Sequence, residues 1–137
     1  MNILIVDDDQ NVLETLSFPL EKRKHSCFTA SDKSTALEIA KRESIELCFM
    51  DYSLPNTNGL ELMKKLQSIN SEIIFVFITG SSDISIAVEA IRQGAYDYLE
   101  KPLDLNRIKI VLDKVKREFS QKKQVNYLET QLYSTID

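Results

Sequence analysis

Apolar and polar positions along the chain alternate between two rhythms. Short apolar runs predict strands over Asn2–Val6, Ser26–Thr29, Leu47–Met50, Ile73–Ile78 and Tyr96–Leu99. The fourth, "IIFVFI", is apolar at every position, as a strand covered on both faces should be. Between and after these runs the spacing turns helical. Asn11–Leu20 groups Leu13, Leu16 and Leu20 on one face, and Lys33–Arg42 groups Ala36, Leu37 and Ala40. Leu60–Ile69 groups Leu62, Met63 and Leu66. Ile84–Gln93 groups Ala87, Val88 and Ile91, which leaves Ile86 and Ala90 outward as a candidate partner surface. Leu105–Phe119 groups Ile108, Leu112 and Val115. Strands alternating with helices predict βαβ units, a parallel sheet with right-handed crossovers and helices on both faces.

Punctuation residues agree with these bounds. Ser31-Asp32, Asp83 and Asp104 precede helices as capping residues, "NG" at Asn58-Gly59 marks a turn, and Gly94 ends the fourth helix. Pro19 conflicts with its helix, because proline cannot donate to the carbonyl four residues back. A kink or early end is expected there, with distortion near Thr15–Phe18.

Helical spacing also outruns the last predicted element. Leu105, Ile108, Leu112, Val115 and Phe119 keep it, and Val125, Leu128 and Leu132 resume it after a polar gap. Seven bases stand against two acids between Arg107 and Lys123. A solvated basic helix face accounts for them, and a linker helix pairing with a second copy is the sharper alternative. Nucleic-acid binding lacks aromatic interleaving and a reading motif.

Composition narrows the class. The 137 residues are 43% hydrophobic and 28% charged, which fits one globular domain able to bury a core without a disulfide or structural metal. A net charge of −4 gives no reason to expect nucleic acid or an anionic membrane as partner. Cys27 and Cys48 lie in apolar runs and are expected to be small buried hydrophobes. The N-terminus has no signal-peptide pattern and no run is long enough to span a membrane, so the expected location is the cytoplasm.

The chemistry collects at strand ends. In an open parallel sheet, ligands bind beyond the carboxyl ends of the strands. Asp7, Asp8 and Asp9 end the first strand, Asp51 the third, Thr79 the fourth and Lys101 the fifth. Two carboxylates about 4 Å apart repel by roughly 4 kcal/mol at an effective dielectric near 20. A hard divalent cation relieves that repulsion, and Mg²⁺ prefers one or two carboxylates with waters and phosphate oxygens. Lys101 adds a fixed positive charge and Thr79 a hydroxyl. This set suits phosphoryl transfer onto an aspartate, which needs no general base because the carboxylate is already ionised. Asp9 is expected to cap the first helix. His25, the only histidine, is read as an ordinary surface or strand-edge residue.

On these residues the chain resembles a response-regulator receiver domain of two-component systems. The likeness covers residues 1–119 and rests on "IVDDD", "MDYSLPNTNG", "ITGSSD" and "YLEKP". It implies a flavodoxin-like (βα)5 fold, doubly wound, with strand order 2-1-3-4-5. It further implies Asp51 as the phosphoacceptor, and Asp7, Asp8, Asp51 and the Ser53 backbone carbonyl as Mg²⁺ ligands. Thr79 and Lys101 would contact the phosphoryl group, and Tyr98 would be the switch aromatic that moves with Thr79. The Lys101–Pro102 bond is often cis in this family.

"TGSSDISIAVEAIRQGAYDYLEKPLDLNRI" is similar to NtrC-type receivers of sigma-54-dependent activators. The resemblance implies a sensor histidine kinase as partner and control of transcription through an output domain that this chain lacks. It also implies self-association through the fourth-helix, fifth-strand and fifth-helix face or the C-terminal helix, with no direct nucleic-acid or membrane contact. Residues 120–137 belong to no receiver core and are expected to form a helical extension or linker. Pro19 lies in the helix that such proteins present to the kinase.

Such a protein is a switch and not an enzyme, apart from assisting its own phosphorylation and dephosphorylation. Two other classes remain open. A phosphatase of the haloacid dehalogenase type would also use Asp, Mg²⁺, Thr and Lys, but Asn11 stands where that class expects Thr or Val. An interaction module that is never phosphorylated is the other. Flavin binding is disfavoured because the acidic first loop would repel its phosphate.

Overall fold

A computed structural model describes the backbone of residues 1–80 and 84–134 and the side chains of 1–80 and 85–122. The chain divides into two compact units, Met1–Leu105 and Asn106–Asp137. In the first, strands β1 (Asn2–Val6), β2 (Ser26–Ala30), β3 (Leu47–Asp51), β6 (Ile74–Thr79) and β7 (Asp97–Glu100) form one sheet. Its order is β2-β1-β3-β6-β7 and every pairing is parallel. That is the expected 2-1-3-4-5 arrangement once two short strands, β4 (Ser53–Leu54) and β5 (Thr57–Asn58), are counted apart. The helices are α1 (Gln10–Lys22), α2 (Lys33–Arg42), α3 (Gly59–Ile69), α4 (Ile84–Arg92) and α5 (Leu105–Ser134).

Pleating sends alternate strand residues to opposite faces. Leu4, Val6, Cys48, Met50, Phe75 and Phe77 share one cluster with Ala36, Ile39 and Ala40 of α2 and Leu62, Met63 and Leu66 of α3. The intervening Ile3, Ile5, Leu47, Phe49, Val76 and Ile78 are also buried, as are Leu13, Leu16 and Leu20 of α1. Each of the larger side chains among them (Val, Leu, Ile, Phe, Met) contributes about 1.5–3 kcal/mol of transfer free energy. Caps set the helix starts. Asp9 accepts from the Asn11 N–H at 2.9 Å, Asp32 from Thr35 at 2.8 Å and Asn58 from Glu61 at 2.8 Å, each cap contributing about 1 kcal/mol. Gly94 follows α4 with φ +120°, a conformation that favours glycine. The proposed cap at Asp83 lies outside the described residues.

Several expectations need correction. Helix α1 does not end early but runs through Pro19 to Lys22. The buried stripe of Leu13, Leu16 and Leu20 holds both sides of the proline, so packing outweighs the one missing donor. On α4 Ala87 is buried as expected, but the rest of the buried face is shifted, with Ala90 inward and Val88 and Ile91 outward. Ala87 and Ala90 are buried, at 5% and 1% exposure, while Val88 and Ile91 are 49% and 45% exposed. The helix turns its small residues inward, where hydrophobicity alone pointed to the larger ones. The candidate partner surface is therefore Val88 and Ile91, not Ile86 and Ala90. In α2, Ile39 is buried and Leu37 only partly so. Cys48 is buried but Cys27, on edge strand β2, is only half-buried.

The second unit is carried by α5, which continues unbroken to Ser134. Its buried side chains are Ile108, Val111, Leu112 and Val115, whereas Leu105 and Ile110 are exposed. The stripe expected at Val125, Leu128 and Leu132 lies outside the described side chains. No helix among the described residues is long and apolar enough to cross a membrane.

Candidate functional site

Parallel register brings the strand ends together. Val6 pairs with Met50, Asp51 with Ile78 and Thr79 with Glu100. Asp7 therefore follows β1 at the level where Asp51 closes β3, and Lys101 follows β7 just past the end of β6. Two backbone bonds tie these ends: Asp7 N–H donates to Ala30 O at 3.1 Å, and Lys101 N–H to Thr79 O at 2.8 Å. Four residues far apart in sequence thus share one end of the sheet. The peptide bond Lys101–Pro102 is cis.

The two central acids have little contact with solvent. Asp7 is 0% and Asp51 5% exposed. Each commits one oxygen to a backbone N–H two residues on. Asp7 Oδ1 accepts from Asp9 N at 2.8 Å, and Asp51 Oδ1 from Ser53 N at 3.1 Å. Their remaining oxygens both face Lys101. Its Nζ lies 3.2 Å from Asp51 Oδ2 and 3.2 Å from Asp7 Oδ2. The first contact is a hydrogen bond. The second is an ion pair in which Asp7 Oδ2, sealed from solvent, accepts no well-directed hydrogen bond among the described residues.

Burial pushes the Asp7 carboxyl above its usual value; the Asp9 N–H opposes this, the Asp51 charge adds to it and Lys101 opposes it. Burial also works against the Lys101 ammonium, but its contacts with Asp51 and Asp7 outweigh that and raise its pKa.

A divalent cation fits this arrangement. Asp7, Asp8 and Asp51 each bring a carboxylate oxygen within 4.8 Å of the others. One of those carboxylates, Asp7, is fully buried, and its Oδ2 has the Lys101 ammonium beside it but no hydrogen bond among the described residues, so a further cation there would be favourable. All-oxygen ligands match Mg²⁺ rather than a softer metal. Asp8 is exposed, so the site opens to water on that side.

The other expected residues are placed as follows. Thr79 is buried at the end of β6. Tyr98 pairs with Phe77 in register, is half-buried and packs on the α2–α3 core. Thr79 lies two residues past Phe77, so the sheet's pleat puts it on the same face as Tyr98. Ser53 is exposed and begins a hairpin in which it pairs with Asn58. Pro55 and Asn56 make its turn, with Asn56 left-handed at φ 61°, the sequence preferred by a type II turn.

Sequence reasoning did not anticipate this hairpin or the role of Gly59. A Cβ on Gly59 would lie 2.5 Å from Phe77 Cε1 and 2.9 Å from the Asp51 carbonyl oxygen. The Gly59 N–H donates to Tyr52 O at 2.8 Å, so α3 begins directly against the Asp51 loop. The "NG" pair was the only signal, and it read as a turn. A groove of about 330 Å³ opens beside Lys101, walled by Val12 and Thr15 of α1 and by Pro102 and Leu103.

Comparison with known proteins agrees with this geometry. The family model of the response regulator receiver domain matches residues 3–113. Regulatory protein AtoC of Escherichia coli (strain K12) is 30% identical over 130 residues, covering 95% of this chain and 28% of AtoC. The chain thus spans well under a third of that relative's length. The crystal structure of NtrX from Brucella abortus in complex with ADP superposes with a TM-score of 0.87 at 32% identity, covering 93% of this chain and 29% of that one. A response regulator from Burkholderia pseudomallei, solved with a phosphorylated aspartic acid, a calcium ion and citrate, gives 0.75 at 30% identity over 93% of this chain and 74% of its own. The match of the family model over residues 3–113, in a chain whose parallel sheet brings acids together at the ends of β1 and β3, places this chain in the response-regulator receiver family, among relatives of the NtrC, AtoC and NtrX type.

Proposed function

We propose that this chain is a phosphorylation switch of a two-component system, with Asp51 as the phosphoacceptor and a sensor histidine kinase as donor. The observation that carries the reading is Asp51 itself, a buried carboxylate held between two further acids and a lysine. The phosphorylated aspartate of the Burkholderia relative supports it. The ionised Asp51 carboxylate attacks phosphorus, the bond to the donor histidine nitrogen breaks, and the departing imidazole keeps the electron pair. Lys101 already sits at Asp51 and meets the oxygens of the incoming group. Asp7, Asp8, Asp51 and the Ser53 carbonyl would hold Mg²⁺, which when bound neutralises charge on those oxygens.

The product carries nearly two negative charges and strong acceptor oxygens. Thr79 turns toward them and Tyr98, on the same face, follows, which shifts the population of α4 and β7. The groove between Val12 and Leu103 is an approach for the donor beside Lys101. Readout runs through the exposed Val88 and Ile91 of α4, by self-association there or through α5, and on to transcription by an output domain outside this chain. The protein works in the cytoplasm and catalyses only its own phosphorylation and dephosphorylation.

Incubation with a small acyl phosphate and Mg²⁺ is expected to add one phosphoryl group by intact mass. Asp51→Asn is expected to add none. An equal gain in that variant, or no gain in the wild type, refutes the assignment. Repeated turnover of a phosphomonoester would instead mark a phosphatase.

A further inference from the structure

Phe77, buried in β6, has neighbours that phosphoryl recognition at Asp51 does not explain. In register it lies between Met50 of β3 and Tyr98 of β7. Neighbouring strands are about 4.8 Å apart, and paired residues of parallel strands point to one face, so these three side chains stand side by side. Phe77 also bears on the chain that follows Asp51. Its ring meets the Tyr52 ring edge-on, with centroids 6.0 Å apart and planes at 64°. Its Cε1 lies 2.5 Å from where a Cβ on Gly59 would stand, and that same point is 2.9 Å from Asp51 O and 3.1 Å from Tyr52 Cα. Gly59 is thus sandwiched between the Phe77 ring and the Asp51–Tyr52 peptide. The segment is pinned on both sides, since Tyr52 N–H donates to Ile78 O at 2.9 Å and Gly59 N–H to Tyr52 O at 2.8 Å.

We propose that Phe77 is a positioning residue that links the Asp51 loop to Tyr98 by packing, alongside the Thr79 hydroxyl. This link rests on the switch reading of Asp51 and Tyr98 given above. A phosphoryl group adds charge and bulk to the Asp51 side chain. That side chain is tied to its own backbone through the Ser53 N–H, at 3.1 Å, so the peptide beside Gly59 shifts with it. A close-packed interior passes such a shift on instead of absorbing it. Gly59 has no side chain to cushion the contact, so the shift reaches the Phe77 ring directly. Tyr98 stands beside that ring, and an inward turn of Tyr98 seats it there. Two routes therefore reach Tyr98, and loss of either one leaves part of its response.

The test follows aromatic ring signals by NMR in the full chain, before and after a small acyl phosphate and Mg²⁺. Uptake is counted by intact mass, and each shift is scaled to the phosphorylated fraction. Tyr98 is read in the wild type, Thr79→Ala, Phe77→Leu and the double variant. Its signal is expected to move in the wild type, to move less but in the same direction in either single variant, and to stay in place in the double variant. The Phe77 ring of the wild type is expected to move together with Tyr98, a measurement that no variant's folding can spoil. Phe77 or Tyr98 signals unmoved in phosphorylated wild type overturn the inference. So does a Tyr98 response wholly lost in Thr79→Ala or undiminished in Phe77→Leu. All of these leave Asp51 standing as the phosphoacceptor. A wild type that takes up no phosphoryl group overturns that assignment and this inference together.

Discussion

Replacing Gly59 with alanine probes the seam between α3 and the Asp51 loop. The new methyl would stand 2.5 Å from Phe77 Cε1, 2.9 Å from Asp51 O and 3.1 Å from Tyr52 Cα. Carbon atoms in contact sit about 3.5–4.0 Å apart, so the shortfall at Phe77 is roughly 1 Å. Phe77 is buried in the densely packed core and cannot turn away cheaply. The other two neighbours are backbone, at and just after the end of β3. Overpacking of this kind costs about 1–3 kcal/mol. The gain in helix propensity, at most about 1 kcal/mol in a helix interior, is smaller at a first helical residue. A net loss of about 2 kcal/mol is expected, or roughly 6–10 °C in Tm for a chain of this size.

The wall that gives way carries Asp51, so uptake of a phosphoryl group should also slow. Misplacing a reacting group by about 1 Å can cost as much as 100-fold. Urea unfolding and phosphorylation rates from a small donor measure the two effects. Gly80→Ala is the control, because among the described residues a Cβ there meets only Lys101 Cδ at 3.9 Å. Gly94→Ala, at φ +120°, should cost stability without slowing phosphorylation. If Gly59→Ala stays within about 0.5 kcal/mol of wild type and reacts at the wild-type rate, the seam has no such role, since ordinary surface changes fall in that range.

Two further outcomes are expected. Burial raises the Asp7 pKa above its usual value. Between the usual value and the raised one, the native state of metal-free protein binds more proton at Asp7 than the unfolded state does. This contribution to stability is complete below the usual carboxylate value and disappears as pH rises through the raised one. Asp7→Asn should lack that dependence, so its stability relative to wild type should climb as pH rises through the raised value. A relative decline, read from urea midpoints across that window, would show that the Lys101 pair dominates instead. Light scattering tests the proposed self-association. Phosphorylated full-length chain should gain mass, and Ile91→Lys or truncation before Ser120 identifies whether α4 or the extended helix is responsible. Unchanged mass on phosphorylation rules out both.

What was legible in the sequence was whatever depends on neighbours along the chain. The period of apolar residues located all five main strands and their helices, because the two-residue and 3.6-residue rhythms are local geometry. The capping roles of Asp9 and Asp32 and the end of α4 at Gly94 were readable for the same reason. Strand-end position was enough to nominate Asp7, Asp8, Asp51, Thr79 and Lys101, since parallel strands end at one edge. Tertiary structure decided the rest. Local hydrophobicity turned α4 the wrong way, because which side of a helix faces the sheet depends on how closely the backbones approach, and Ala87 and Ala90 permit the closer approach. Pro19 was read as a kink or an early end, yet the helix does not end there, and a well-packed stripe on both sides carries it past one lost hydrogen bond. Gly59 looked like a turn residue until Phe77 and the Asp51 carbonyl were found against it. Lys101 could be nominated as a charge beside Asp51, but its equal hold on Asp7 is a distance, set by where two strands end in space.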